Sequence, residues 1–393
     1  MIPDMDKLRN RAETEKIAAL LGEDRDGPGS PGSPGSSEAP KSPGSSEARE
    51  RLAFLHTLPA EDVRRLREQA TAALFDGTPE MLDRIARATK LVPAGVAAAI
   101  SQKALGPRLA AAVAGKLEPA RAADIIEKLP VSFTAESCPH LDPRRIAGIV
   151  DRLDENLLVR IAVALAERGD HLTMGRFVGH LRDSALERII PQIADDVVLR
   201  TGFAIDMPER LGQVIELMGE DRLASVVGAA ADGLWPEALA IAGMVPDEQR
   251  ARIASLAAAQ PQERLDALVR VVAEQDLWES LLPLVALLGH EERRAVAGLP
   301  SLRSAGVLEG VVRAVVATGL WAEFLPLVEV LPTDSRKTVA DAAAGLGEAE
   351  LDALAREVDK RDLWGLVLPL VELMDDEGKQ RIFELPAFQV QAE

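Results

Sequence analysis

The sequence contains no tyrosine, and all aromatic residues together make up only 3% of its 393 residues. Leucine, valine, isoleucine and alanine must therefore fill the core. Such side chains suit closely packed helices, whereas strands are enriched in aromatic as well as β-branched residues. We therefore expect an all-α fold and not a β-sandwich.

Cysteine and long apolar runs are scarce as well. Cys138 is the single cysteine, which excludes an intramolecular disulfide and fits a reducing compartment. The longest apolar runs, 91–100 and 281–288, are much shorter than the roughly 20 residues that cross a bilayer, and the N-terminus has no apolar signal-peptide core. We expect a soluble, cytoplasmic protein without a membrane span.

Positive charge is also in short supply. The formal net charge is −18 and the isoelectric point is near 4.9. A chain this acidic repels phosphate backbones unless a basic patch is segregated, and the sequence shows no such patch. The sequence therefore argues against a nucleic-acid partner.

Signatures of catalysis are missing too. None of the five histidines has HExxH spacing or another ligand at metal-site spacing, and no Gly-rich phosphate loop occurs. We interpret Cys138 and His140 as parts of a loop between helices, because a catalytic Cys–His pair is usually assembled across a fold. No catalytic residue, cofactor or metal is predicted, and the protein is not expected to be an enzyme.

Residues 1–26 predict one short helix. Asp4 can cap it, Gly22 can end it, and its apolar residues are spaced to share roughly one face. Because so short and charged a helix is marginal alone in water, we expect it to dock as a helix in a groove of its own chain or a neighbour's, or else to remain a frayed terminus. The candidate docking residues are Met5, Leu8, Ala12 and Leu20.

Residues 27–49 predict a disordered linker. Glycine, proline and serine occupy 17 of these 23 positions, and the phrase SPGSSEA occurs twice. Such a segment has nothing to bury and acts as a tether with a reach of roughly 25 Å. The repeated phrase is compatible with a natural and with an engineered linker.

Residues 50–232 predict degenerate helical repeats. The segments LEPARAADIIEKL at 117–129 and LDPRRIAGIVDRL at 141–153 share one pattern. Each opens on an acid–proline pair, and proline suits the first helical position because its missing donor would be unpaired there anyway. The register of residues 154–232 stays open.

Residues 233–393 contain a stronger repeat. The four tryptophans are spaced by 43 residues, and a leucine precedes each of them: Trp235, Trp278, Trp321 and Trp364. Within the second unit the pattern predicts three helices, at 277–288, 291–299 and 307–318. One helical hairpin cannot bury its apolar face alone. We therefore expect stacked units, a right-handed α-solenoid, in which the tryptophans pack between neighbours.

These 43-residue units resemble armadillo or HEAT repeats in general. The phrases at 117–129 and 141–153, with the stretch that follows them, resemble the helical repeats in the N-terminal domain of MgtE-type magnesium channels. That resemblance implies a superhelix of short helices, and it carries over no magnesium-site residue. The abundance of alanine, leucine, arginine and glycine is typical of a high-GC bacterium.

Two charged columns recur on the third helix of each unit. An acid precedes an arginine by four residues, a spacing that stabilises a helix by about 0.2–0.5 kcal/mol. In armadillo-like arrays the third helix lines the concave surface, so the same residues would form a partner-binding groove. The candidate groove residues are Asp266, Arg270, Glu309, Arg313, Asp352 and Arg356.

From this architecture we expect a non-catalytic binding or scaffolding protein with a protein or peptide partner, which its own residues 1–26 can mimic. The alternative is a carrier or sensor that holds a small apolar ligand between helices of the Ala-rich stretch 91–115.

Overall fold

The structure is a computed structural model that describes residues 4–21, 53–75 and 79–383. Every regular element within these ranges is helical, and no strand occurs there, so the predicted all-α class is confirmed. The predicted linker at 27–49 lies outside the described residues. None of the described helices combines the length and the apolar character that crossing a bilayer would need.

Apart from Asp4 and Met5, the described chain divides into two compact units between Met218 and Gly219. The helices of the first unit are α1 (Asp4–Leu21), α2 (Ala60–Phe75), α3 (Pro79–Thr89), α4 (Ala94–Ile100), α5 (Gly106–Ala114), α6 (Pro119–Ile126), α7 (Val131–Ser137), α8 (Pro143–Val150), α9 (Glu155–Glu167), α10 (His171–Val178), α11 (Asp183–Ile189), α12 (Asp195–Phe203) and α13 (Leu211–Glu216).

Local sequence signals set these helix starts. The two acid–proline phrases open α6 and α8, with Pro119 and Pro143 at the first helical position. The carboxylate of Asp154 caps α9 by accepting hydrogen bonds from the backbone N–H groups of Asn156 at 2.9 Å and Leu157 at 3.2 Å. These contacts satisfy donors that a helix leaves unpaired at its start.

Helices of the first unit pack mainly on the helix two places further along the chain. This holds for α3 with α5, α4 with α6, α5 with α7, α6 with α8, α7 with α9, α9 with α11 and α10 with α12. Arginine side chains also donate hydrogen bonds to carbonyl groups in the turns between earlier helices. The guanidinium of Arg176, for example, donates to the carbonyls of Pro139 at 3.2 Å and Leu141 at 2.7 Å. The core therefore grows by local contacts along the sequence.

The second unit contains α14 (Glu220–Ala229), α15 (Trp235–Met244), α16 (Asp247–Ala258), α17 (Gln262–Gln275), α18 (Trp278–Ala286), α19 (His290–Ala297), α20 (Ala305–Thr318), α21 (Trp321–Val330), α22 (Thr333–Ala344), α23 (Glu348–Lys360), α24 (Trp364–Val371) and α25 (Asp376–Phe383). Each tryptophan is the first residue of a helix. The three helices predicted for 277–318 correspond to α18, α19 and α20, and a short 3₁₀ turn at Pro300–Arg303 lies between the last two.

The helices that begin with tryptophan pack in sequence, α15 on α18, α18 on α21 and α21 on α24. Trp235, Trp278 and Trp321 are buried. Trp364 is half-buried, and its indole Nε1 donates to Asp359 at 3.2 Å. Burial of this large apolar surface at the contact between neighbouring helices agrees with a packing role for the tryptophans.

Candidate functional site

The N-terminal helix α1 packs against other parts of the first unit. Among the candidate docking residues, Leu8 and Ala12 are buried, while the side chains of Met5 and Leu20 lie outside the described set. Ile17, which the sequence analysis did not select, is buried in a cluster with Leu55 and Val63. An apolar contact therefore connects α1 with α2 and with the turn before it.

Polar groups of α1 satisfy the backbone at the start of α2. The side-chain amide of Asn10 donates to the carbonyls of Leu55 at 2.8 Å and Leu58 at 2.6 Å. The carboxylate of Asp6 accepts the backbone N–H of Ala60 at 3.2 Å. Asp6 thus caps α2 from another helix, a role that a residue just before the helix usually fills.

A closed ring of ion pairs joins α1, α2 and the segment after α12. Lys16 Nζ lies 2.9 Å from Glu13 Oε1 and 2.8 Å from Asp206 Oδ1. Arg67 Nε lies 3.0 Å from Glu13 Oε2, and Arg67 Nη1 lies 3.0 Å from Asp206 Oδ2. We call these four residues the ion-pair ring. Each carboxylate contacts both cations, so the ring is neutral.

The ion-pair ring is shielded from water. The exposed fraction of its side chains lies between 2% for Lys16 and 14% for Asp206. Burial opposes ionisation of Asp206, but the charges and hydrogen bonds of Lys16 and Arg67 outweigh it and hold the pKa of this carboxyl well below its ordinary value. Burial likewise disfavours the charge on Arg67, yet Asp206 and Glu13 raise its pKa. The pKa shifts of Asp206 and Arg67 thus both favour the ionised form of the ring.

Gly175 of α10 and Gly179, which directly follows this helix, allow the segment after α12 to approach and so position Asp206. A Cβ on Gly175 would lie 2.5 Å from the carbonyl oxygen of Ala204, and one on Gly179 would clash with the side chain of Met207. The backbone N–H of Asp206 donates to the carbonyl of Gly175 at 3.3 Å. A side chain at Gly175 would therefore displace the backbone next to Asp206.

The ring makes docking of α1 sensitive to acid. Because docking lowers the pKa of Asp206, the undocked chain takes up the proton first as the pH falls below the ordinary value near 3.8. The contribution of Asp206 is therefore complete between pH 5 and pH 8. It begins to fall near pH 4 and is lost progressively as the pH drops toward the lowered pKa of the docked carboxyl. Fluorescence anisotropy of a dye on an Arg9→Cys variant measures this release, since Arg9 is exposed on α1.

Circular dichroism at each pH is the control, because it separates release of α1 from unfolding of the whole chain. Constant anisotropy down to about pH 2, with helicity intact, would show that Asp206 does not hold α1.

The charged columns of the second unit form local ion pairs. Arg270 Nε lies 3.4 Å from Asp266 Oδ2, and Arg356 Nη2 lies 2.8 Å from Asp352 Oδ2. These arginines are well exposed, so each pair contributes little to stability. Asp266 also accepts the backbone N–H of Ser301 at 2.8 Å and thereby contacts the 3₁₀ turn before α20.

On α20, Arg313 Nε donates to the backbone carbonyl of Glu309 at 3.4 Å. The third helices α17, α20 and α23 thus place their acid and arginine residues on the surface at matching positions. A partner groove along them stays a prediction.

Cys138 lies in a 3₁₀ turn with His140, as the loop interpretation expects. Burial raises the pKa of its thiol to about 12. We therefore predict that the native protein does not react with Ellman's reagent at pH 8 within hours, whereas the chain in guanidinium reacts within minutes, because only the thiolate is nucleophilic. Rapid native labelling would contradict this. An inert Cys138 also allows selective labelling of the Arg9→Cys variant.

No group of three or more potential metal ligands occurs within 4–21, 53–75 and 79–383. No protein-family model and no curated protein matches the chain. The armadillo, HEAT and magnesium-channel resemblances therefore depend on the quoted residues alone.

Proposed function

We propose that this chain is a non-catalytic binding or scaffolding protein whose first unit receives a helix, and that its own helix α1 occupies the receiving site. The observation that carries the proposal is the ion-pair ring. A terminal helix that only filled an apolar surface would not need the four buried charges of the ring. It would also not need the capping carboxylate of Asp6 or the amide of Asn10, which binds two carbonyls. Such directional contacts select one helix in one register.

The architecture behind this proposal is an armadillo- or HEAT-like α-solenoid. Helices of the second unit start at Trp235, Trp278, Trp321 and Trp364, and the helices that follow them start at Asp247, His290, Thr333 and Asp376. Both series advance by 43 residues, which supports stacked units of that length. Solenoids present long surfaces to peptides and helices. The columns from Asp266 to Arg356 remain the predicted groove for a second partner segment.

Occupation by α1 would regulate the first unit. The predicted tether at 27–49 keeps α1 near its site at an effective concentration that can reach millimolar. A partner helix therefore has to outcompete a tethered occupant. A partner that carries the same pattern, an acid, an asparagine, an acid and a lysine at the positions of Asp6, Asn10, Glu13 and Lys16, would do so.

A labelled peptide of residues 4–21 tests the proposal on the full chain. The variant Lys16→Glu disables the chain's own α1, because it places a third carboxylate in the ring, but it leaves Arg67 and Asp206 unchanged. We expect the peptide to bind this variant at least about tenfold more tightly than the wild-type chain, whose site is already occupied.

A peptide with Lys16→Glu is the matched control, and it should bind neither protein. Equal binding of the wild-type peptide to both chains, or no binding to either, would contradict the proposed site. A wild-type peptide that binds the Lys16→Glu chain as weakly as the control peptide would show that the ring does not select its occupant.

A further inference from the structure

A basic segment lies on α3, α4 and α5 of the first unit. Between Arg84 and Lys116 the sequence contains six basic residues and no acidic residue, although the whole chain carries a net charge of −18. All six side chains are exposed: Arg84, Arg87, Lys90, Lys103, Arg108 and Lys116. This segment therefore exposes six positive charges on an acidic protein.

The same segment exposes large apolar side chains. Leu91 is 86% exposed, and Val96, Ile100 and Leu109 are each more than a third exposed. The inner face of α4 buries alanines, whereas Val96 and Ile100 lie four residues apart on its outer face. Single exposed apolar residues are ordinary, but a group of them among cations marks an interaction surface. We call this set of cations and apolar side chains the basic–apolar surface.

Packing holds the parts of this surface together. Helix α3 packs on α5, and α4 packs on α6. From α6, the guanidinium of Arg121 donates to the carbonyl of Thr89 at 2.9 Å and also to the carbonyl of Val92. These two bonds fix the turn that carries Lys90 and Leu91, so Leu91 projects from an anchored turn.

Nearby carboxylates neutralise only part of this charge. Lys90 lies 4.0 Å from Glu118 and Lys116 lies 3.7 Å from Asp83, and both pairs are exposed and therefore weak. Arg84, Arg87, Lys103 and Arg108 form no ion pair with a carboxylate in the part of the chain that the structure describes. At least these four cations remain open to an anionic partner.

We propose that the basic–apolar surface binds the chain peripherally to an anionic phospholipid membrane. Interfacial binding requires apolar side chains that enter the headgroup layer and cations that pair with the lipid phosphates. Each basic residue near an anionic surface strengthens the partition by about fivefold. The remaining chain is acidic, so electrostatic repulsion directs this surface, and no other large part of the sequence, toward the lipid.

A membrane fits better than a folded protein partner because of the projecting leucine. Folded partners bind through complementary shapes that bury side chains in pockets. Leu91 stands out on a turn beside Lys90, and a fluid headgroup layer admits such a side chain without a matching pocket. An acidic amphipathic helix is the competing occupant, and vesicle binding distinguishes it from a membrane.

Co-sedimentation of the full chain with vesicles tests the proposal. We expect binding to phosphatidylcholine vesicles that contain about 30% phosphatidylserine, weaker binding as salt is raised, and little binding to phosphatidylcholine alone. The double variant Lys103→Ala, Arg108→Ala should weaken the partition by about 25-fold, and Leu91→Ser by about tenfold. Circular dichroism should match the wild type, since all three side chains are exposed.

Two substitutions in the second unit are matched controls. Lys337→Ala removes an exposed cation and Leu368→Ser an exposed leucine, and neither should change the partition. Failure of the wild-type chain to bind anionic vesicles, or equal binding by the Lys103→Ala, Arg108→Ala variant, would overturn the proposal. So would a result in which a labelled acidic amphipathic peptide, but no vesicle, binds through Leu91 and Lys103.

Discussion

Replacing Asp206 with alanine should cost about 3–5 kcal/mol and release α1 from the first unit. Asp206 contacts Lys16 at 2.8 Å and Arg67 at 3.0 Å. Without it, both cations share Glu13 alone, and one buried positive charge is left uncompensated. Urea titration with anisotropy detection on the labelled Arg9→Cys chain measures the free energy of release.

Glu136→Ala is the control for this substitution. It removes a carboxylate that lies 3.4 Å from Arg168, in a pair whose side chains are both nearly half-exposed. Such a pair contributes less than about 1 kcal/mol. If Asp206→Ala has no larger effect than Glu136→Ala, the ring does not stabilise docking.

Removing one charge of each sign should cost less than removing Asp206 alone. The double variant Lys16→Met, Asp206→Leu leaves Glu13 and Arg67 as a neutral pair, and replacing a buried ion pair with apolar side chains is often close to neutral. We therefore expect the ring to determine which helix binds more than how tightly it binds, because a helix that leaves a charge unmatched is penalised.

Gly175→Ala should have the second large effect, through the backbone. The added Cβ would lie 2.5 Å from the carbonyl oxygen and 2.6 Å from the carbonyl carbon of Ala204. Backbone atoms cannot move aside as a flexible side chain can, so residues 204–206 have to shift. Overpacking of this kind costs about 1–3 kcal/mol, and a shift of this segment also disturbs the contact of Asp206 with Lys16. We expect lower thermal stability together with release of α1.

The matched control is Gly95→Ala in α4. A Cβ there meets nothing within 4 Å, and alanine is the better helix former by up to about 1 kcal/mol. This variant should be as stable as the wild type or slightly more stable. Equal stability of the Gly175→Ala and Gly95→Ala chains would show that the segment after α12 is not closely packed on α10.

Much of the local structure follows from short-range rules in the sequence. The helix predicted from its cap and stop residues at the N-terminus corresponds to α1, and the acid–proline phrases open α6 and α8. The tryptophan spacing marks the first residue of α15, α18, α21 and α24. Each signal acts within a few residues, because it concerns unpaired backbone groups or one helical face.

The α1 site could not be derived in the same way. Lys16 and Asp206 are 190 positions apart, and only the complete fold brings them together. The predicted docking face consists of apolar residues of α1, whereas the buried face also includes Asn10, Glu13 and Lys16. Charged residues gave no signal of burial, because their partners lie on other elements.

The basic–apolar surface was missed for another reason. Net charge averages over the whole chain, and 63 acidic residues conceal a run without any acid between Arg84 and Lys116. A charge count in windows of about 30 residues would have found it. The paired columns at Asp266–Arg270 and Asp352–Arg356 were visible from their spacing, but spacing alone does not decide whether a partner uses them.

Hydrogen exchange of the intact chain tests the central claim, that α1 is a docked occupant of the first unit. We predict that the amides of residues 10–17 exchange at least about a hundredfold more slowly in the wild-type chain than in the free peptide of residues 4–21, because an isolated helix of this length is marginal. In the Lys16→Glu chain the amides of residues 10–17 should exchange at the rate of the free peptide. Protection of residues 53–63 should be weaker than in the wild-type chain, and protection of residues 235–375 should be unchanged. Exchange of residues 10–17 in the wild-type chain at the rate of the free peptide would contradict the account.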